Sequence, residues 1–467
     1  MRYAKLPQAN LPQVKLILPT YVERFRCIGP ACEDTCCQGW GVPVDRAAYE
    51  KYQILPASPL RTVIDASILL TPNWEDGSGP VSFATIRMTS SNQCSLLSED
   101  GLCRIQTEYG EAYLPHTCAT YPRIVHSIGH IEEKALTLSC PEAARLVLLD
   151  PNLLDPNPSA ITEPSGILRA SQVDERETVA RTRTLQPWFW SIREAVLTLL
   201  RDRDYPLWQR LFLLGVLCRR LDCFVVGHPD RPGAEVLREF AATVASGALR
   251  TAMDNLPLNS SRQLDVVLRL AGMLLHRSNV HSRFAQCVQA FTTGIGNCPT
   301  ATLESLTIHY AEAHDRFFAP FFDRHPHVLE NYLINTIFRC QFPFGREGMQ
   351  PGAVPSMARE HVRLIAQFAL MKGLLIGVAG FRREDFSAED VVRTIQSASK
   401  HFEHHPKFLE QSHALLSQRQ MDGALGWAAL VRNARANATL SRPESALSTA
   451  RKNARIRSTK VRGASGG

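Results

Sequence analysis

The chain has 467 residues, a formal net charge of +7 and a hydrophobic content of 45%. That length supports two or three domains with a sizeable core, and the composition is that of a globular chain, neither fibrous nor disordered. Most of the excess charge lies from Arg442 onward, where seven basic residues face Glu444 alone, so the body is nearly neutral and carries no basic field for nucleic acid.

Residues 1–26 mix apolar and polar side chains, with a strand expected at Val14–Leu18. The longest apolar run there, Leu16 to Pro19, is too short for the apolar region of a signal peptide, and no small-residue cleavage site follows. The most apolar later stretch, residues 368–381, is interrupted by Lys372 and is too short to span a bilayer. The expectation is a cytoplasmic protein with no membrane span, in a compartment that keeps thiols reduced.

Eight of the thirteen cysteines fall between Cys27 and Cys140. Cys27, Cys32, Cys36 and Cys37 form a tight knot, C-x4-C-x3-C-C. Cys94, Cys103, Cys118 and Cys140 are spread beyond it. Thiolates at this density pair as disulfides or hold a metal. The knot lets several sulfurs turn towards one centre, with Gly29, Pro30 and Gly39 supplying the turns. Neighbouring side chains diverge, so one of Cys36 and Cys37 is expected to serve the centre and the other a second site or the packing. Zinc takes four thiolates per site, so eight cysteines suffice for two such sites; a cubane iron–sulfur cluster also takes four. Spacing does not choose between them. An odd number of thiols in a reducing compartment favours metal over disulfides. His116, two residues before Cys118, reads first as a satisfied surface or core histidine, with a ligand or a hydrogen-bond donor to one as the alternative.

Between and after these cysteines, a strand is expected over Gln38–Asp45, with Asp45 capping a helix over 46–53. A helix near Arg61–Leu69, a strand over Val81–Met88 and a helix over Arg104–Tyr113 follow. A hairpin over His126–Glu133 turns at Gly129, and Pro141 suits the first turn of a helix to Leu149. Five prolines between 151 and 187 mark a linker. Thereafter Leu207, Leu211, Leu214, Leu217 and Leu221 share one helical face. Similar faces recur over 234–249, 262–276, 302–318, 328–340, 359–379 and 388–402, the last opened by a capping-box-like Ser387 and Asp390. Cys218, Cys223, Cys287, Cys298 and Cys340 read as buried free thiols. The fold class is therefore mostly α. An N-terminal cysteine-rich α+β metal-binding module spans 1–150, a linker 151–186, a helical domain 187–440 and a disordered basic tail 441–467.

No P-loop, GxSxG or HExxH motif is present. The lone Gly294-Ile-Gly296 follows no strand, so no Rossmann-type methyltransferase core is visible. Cys32-x3-Cys36 begins like a radical-cluster motif, but Gly39 stands where its third cysteine would be. His401, His404 and His405 gather at a helix end, where imidazolium suits the dipole. The segment from Glu330 to Asn335, followed by Phe342-Pro343-Phe344, sets a carboxylate and two amides beside aromatics. Core packing is the plain reading and a ligand pocket the alternative.

The blocks FRCIGPACEDTCCQGWGVPVD, NQCSLLSEDGLCRIQ, LPHTCATYPR and LSCPEAAR resemble the bacterial flagellin lysine-N-methylase family (FliB) and, more broadly, the CxxxCxxCC type of cysteine-rich metal-chelating module. ENYLINTIFRCQFPF adds a weaker likeness. The resemblance implies transfer of methyl groups from S-adenosylmethionine to flagellin lysines, with a cysteine-bound 4Fe–4S cluster or, alternatively, zinc. Cys27, Cys32, Cys36, Cys37, Cys94, Cys103, Cys118 and Cys140 are then the metal ligands. A lysine ammonium must lose its proton before it attacks, and a sulfonium donor suits aromatic faces and carboxylates. Glu330 and Tyr332 are the candidates for the first task, Asn331 and Asn335 for holding the donor. A non-catalytic zinc-binding interaction module and a metal-dependent oxidoreductase are the rival readings.

Overall fold

The computed structural model describes residues 19–71, 83–128, 131–154, 172–173, 188–227, 233–276, 282–349, 356–403, 405 and 407–433. The strand expected at Val14–Leu18, most of the linker and the whole basic tail lie outside these residues.

The cysteine-rich part folds around a three-stranded antiparallel sheet. Strand β1 (Val42–Val44) and strand β2 (Ile68–Leu70) flank β3 (Ala84–Ile86), with Val42 and Ile68 both opposite Ile86. Asp45 caps the helix Arg46–Gln53 as expected, accepting from Ala48 N at 2.9 Å. The next helix is Pro59–Ser67, capped by Ser58, and it gives way to β2 two residues before the expected end at Leu69. The helix from Arg104 stops at Tyr109 because Gly110 adopts φ +86°, and a single 3-10 turn completes the span to Tyr113. Tyr52, Leu60, Ile64 and Leu96 are at the centre of this small core.

A second, much larger core holds the rest, and it reaches back into the N-terminal region. Strands β4 (Arg123–Ile128) and β5 (Ile131–Leu136) pair with His126 opposite Glu133, and β6 (Gln172–Val173) runs parallel to β4. The hairpin, Tyr21, Phe25 and the helix Pro141–Leu148 pack into the large core, not the small one. The boundary read at 150 therefore does not coincide with the division between cores. Buried Glu133 pairs with buried Arg193, whose Nε also donates to Phe342 O at 2.7 Å.

The large core is organised around the helix Met357–Arg382, and helices Leu207–Gly227, Ser260–Leu275, Arg283–Gly294 and Ala388–Phe402 all pack against it. It is long and apolar enough to cross a membrane, unlike the expectation from residues 368–381, but 89% of its most apolar window is buried inside the protein. A helix apolar on all sides belongs in the middle of a bundle. Close approach here requires glycine: a Cβ on Gly294 would lie 1.8 Å from Gly377 O. The Gly294-Ile-Gly296 pair is thus a helix crossing followed by a turn, not a nucleotide loop. Ser387 and Asp390 form the expected reciprocal cap. Helices Phe189–Arg201, Phe408–Gln418 and Ala424–Val431 were not anticipated, and the helix expected over 302–318 continues through a π turn at His314–Phe318 into Ala319–Arg324.

Candidate metal centre and the polar helix face

All eight N-terminal cysteines line one cavity of about 310 Å3. The knot reaches it through a short 3-10 turn at Gly29–Ala31, where Gly29 N donates to Cys27 Sγ at 3.5 Å. Cys94 N donates to Cys37 O at 2.7 Å, and Leu97 bridges back to Cys103. Cys118 sits on the turn of helix His116–Thr120, whose first backbone N–H is held by Asp45 Oδ2 at 2.7 Å. Cys140 is the N-cap of Pro141–Leu148. None of the thirteen cysteines is in a disulfide. Of the five later ones, Cys218 and Cys287 are buried as expected, whereas Cys223 and Cys298 are exposed.

The thiols perturb one another. Burial, reinforced by the charges of Cys37 and Cys103, pushes Cys94 up to about 11. Burial, with Cys32 and Cys27 nearby, pushes Cys140 up to about 12. Cys118 is raised by burial and then by Cys37, Cys103 and Cys94. Cys37 is instead lowered, first by a hydrogen bond with Cys36, then by Thr35 and by the Lys400 cation. Repulsion among thiolates turns into attraction once a cation sits between them, so this donor set fits a soft metal centre. Among the described residues no three ligating side chains already stand close enough to hold one ion. A single zinc keeps each sulfur at about 2.3 Å, and the cavity is wider than that. His116 is held through its backbone, and burial lowers its imidazole against the pull of Asp45.

The cavity's outer wall meets the helical bundle. Gln396 Nε2 donates to Asp34 Oδ2 at 2.7 Å and to Ser139 O at 2.8 Å, and Lys400 Nζ reaches Asp34 Oδ1 at 2.6 Å. On the far side of this loop, Ala31 and Glu33 line a groove of about 1010 Å3 with Arg145, Arg283, Phe381 and Glu389. Gln396, Lys400 and this groove were not singled out in the sequence. The acidic pair Glu33-Asp34 inside the knot is the signal that points to cationic partners elsewhere.

The four residues read as a catalytic and donor-binding set lie on one helix, His327–Arg339, and all four are buried. Glu330 is clasped by Arg210 at 2.8 Å and Arg203 at 3.1 Å. Asn331 Nδ2 donates to the carbonyls of Val147 and Asp150 at 2.9 and 2.7 Å. Asn335 accepts from Tyr21 Oη at 2.7 Å and brackets Leu136 through both its N–H and its C=O. Tyr332 is 1% exposed, and burial raises its hydroxyl. None of the four lines the cysteine cavity or the groove. The geometry assigns Glu330, Asn331 and Asn335 to fastening this helix to its neighbours. His401 Nδ1 bonds Ser397 O at 2.9 Å and its ring packs on Phe284, a structural setting; His404 lies outside the described residues.

The sequence model of the FliB lysine N-methylase C-terminal domain matches residues 193–430, just over half of the chain. The chain belongs to the FliB lysine N-methylase family. Flagellar biosynthetic protein FliU of Salmonella muenchen is 31% identical over 144 residues, which cover 83% of that relative and 31% of this chain. Lysine-N-methylases of Salmonella typhimurium and Salmonella choleraesuis are each 31% identical over 144 residues, 35% of their own length. The chain thus spans about a third of the length of those two lysine-N-methylases. No solved structure matches it.

Proposed function

We propose that this chain is a protein lysine N-methyltransferase that takes its methyl group from S-adenosylmethionine and acts on flagellin. The observation that carries the reading is the convergence of eight reduced thiols on one cavity in a chain of the FliB family. The relatives named lysine-N-methylase support the activity, and the flagellar name of FliU supports a flagellar substrate. Cys27, Cys32, Cys36, Cys37, Cys94, Cys103, Cys118 and Cys140 would hold an iron–sulfur cluster or zinc. Such a group supplies, when bound, the covalent hold that fixes the knot against the later cysteines.

The substrate lysine is assigned to the groove beside the knot. Phe381, Val378 and Ala290 offer apolar surface for its aliphatic stem, and the carboxylate of Glu389 attracts its head, Glu33 being held by Arg145 and Arg283. There the amine, once deprotonated, attacks the methyl carbon of the sulfonium. The N–C bond forms, the S–C bond breaks with its electron pair going to sulfur, and the released proton passes to solvent or a carboxylate. Asn331 steadies the helix that carries Arg145 into this groove, by holding the carbonyls of Val147 and Asp150. Co-expression of the full chain with flagellin, followed by mass spectrometry of flagellin lysines, tests the reading. Methylated lysines are expected. Unmodified flagellin beside a soluble, metal-loaded protein would overturn it.

A further inference from the structure

The eight thiols fall into two sets. Cys94 is buried in the small core, and Cys37, Cys103 and Cys118 pack against that same core. The backbone knits this set together: Cys94 N bonds Cys37 O, Leu97 N bonds Cys94 O at 3.0 Å, and Leu97 pairs with Cys103. Cys140 belongs to the other core. The Cys32 loop is brought to it by Gln396, which holds Asp34 and Ser139 at once, and by Arg145, which pairs with Glu33 from Cys140's own helix. Electrostatic neighbours sort the same way. Cys118 feels Cys37, Cys103 and Cys94, whereas Cys140 feels Cys32 and Cys27. Cys36 is the exception and stands at the border: its thiol bonds the Cys37 thiol and has Cys118 and Cys140 beside it, and with Cys37 and Cys118 already committed to the first set it falls to Cys140's.

We propose that the cavity holds two separate four-thiolate centres, an inner one on Cys37, Cys94, Cys103 and Cys118 and an outer one on Cys27, Cys32, Cys36 and Cys140. This rests on the metal reading above. Four thiolates satisfy either a zinc ion or a cubane cluster, so eight make two complete sites with none left over. The division explains the adjacent cysteines: Cys36 and Cys37 are the point where the chain passes from one centre to the other. It also gives the centres different duties. The inner centre draws every ligand from the small core and staples that core. The outer centre draws Cys140 from the large core, is held by Gln396 and Lys400 from the helix Ala388–Phe402, and backs onto the groove through Ala31 and Glu33. It therefore couples the knot to the substrate side.

The test is a metal count on the anaerobically purified full chain, by native mass spectrometry with iron, zinc and acid-labile sulfide analysis. The wild type is expected to carry two centres. Cys32→Ser and Cys140→Ser should each lose the outer centre and keep the inner one; Cys94→Ser and Cys118→Ser should lose the inner one and keep the outer, each read as the loss of one zinc or one cubane from the native mass. A wild type with a single centre, or variants of both sets that lose all metal together, would overturn the division and leave the metal reading intact. If the inner variants do not fold, the wild-type count decides alone. A folded wild type carrying no metal would overturn the metal reading itself, and the division with it.

Discussion

Glu330→Gln separates a structural carboxylate from a catalytic one. The Glu330 and Arg210 side chains are 6% and 5% exposed and 2.8 Å apart, and Arg210 also donates to Leu200 O. Arg203 completes the clasp but is 54% exposed, so screening by water makes its share small. The substitution keeps the shape of residue 330 and leaves the Arg210 cation buried without a counter-charge. Breaking a buried pair from one side costs about 3–5 kcal/mol. At about 2–4 °C per kcal/mol for a unit of this size, the melting temperature should fall by at least about 6 °C. Circular dichroism melts of E330Q and of the double variant E330Q/R210M measure it, and the double variant should recover part of the loss, because neither charge is then stranded. E330Q that melts with the wild type while losing methyl transfer would refute this reasoning and return Glu330 to the role of a base.

Three further outcomes follow from the same geometry. Asn335→Ala strands Tyr21 Oη and both backbone groups of Leu136, and should lower stability by about 2–4 kcal/mol in urea titrations while donor affinity of the folded fraction is unchanged. Gly294→Ala drives a Cβ into the Gly377 carbonyl and should cost about 3 kcal/mol or more, seen as loss of soluble protein or a lower melting point. Lys372 is buried against Val431 O at 2.7 Å, and burial lowers it from 10.5 to about 7. The unfolded chain therefore binds a proton that the folded one does not between about pH 7 and 10.5, so wild-type stability rises through that window. Lys372→Met should stabilise most at pH 7 and below, with the gap closing towards pH 10; a pH-independent difference would contradict the assignment.

Local chemistry was legible in the sequence, and long-range partnership was not. Asp45, and Ser387 with Asp390, mark helix starts through bonds between residues three positions apart, and Pro141 through its fixed φ in a first turn that needs no N–H, so a single line of sequence contains the whole signal. The cysteines were legible because their chemistry is rare and dense. Glu330, Asn331 and Asn335 were read as a binding face because polar groups in an apolar helix demand partners. The partners turned out to be Arg210, Val147 and Leu136, brought there only by the tertiary fold. The same holds for Gln396 and Lys400, whose contact with the knot joins opposite ends of the chain. Lys372 interrupted an apolar run in the sequence, yet the helix continues through it because Val431 O accepts a hydrogen bond from its Nζ.

The most direct measurement is methyl transfer from labelled S-adenosylmethionine to flagellin by the anaerobically purified full chain, compared with the same protein stripped of metal by a chelator and with Cys32→Ser. The account predicts labelled lysines with the metal-loaded protein and a loss of at least tenfold in the other two. Equal labelling by all three would contradict a thiolate-held centre as part of the working enzyme, and no labelling by the metal-loaded chain would contradict the enzyme itself.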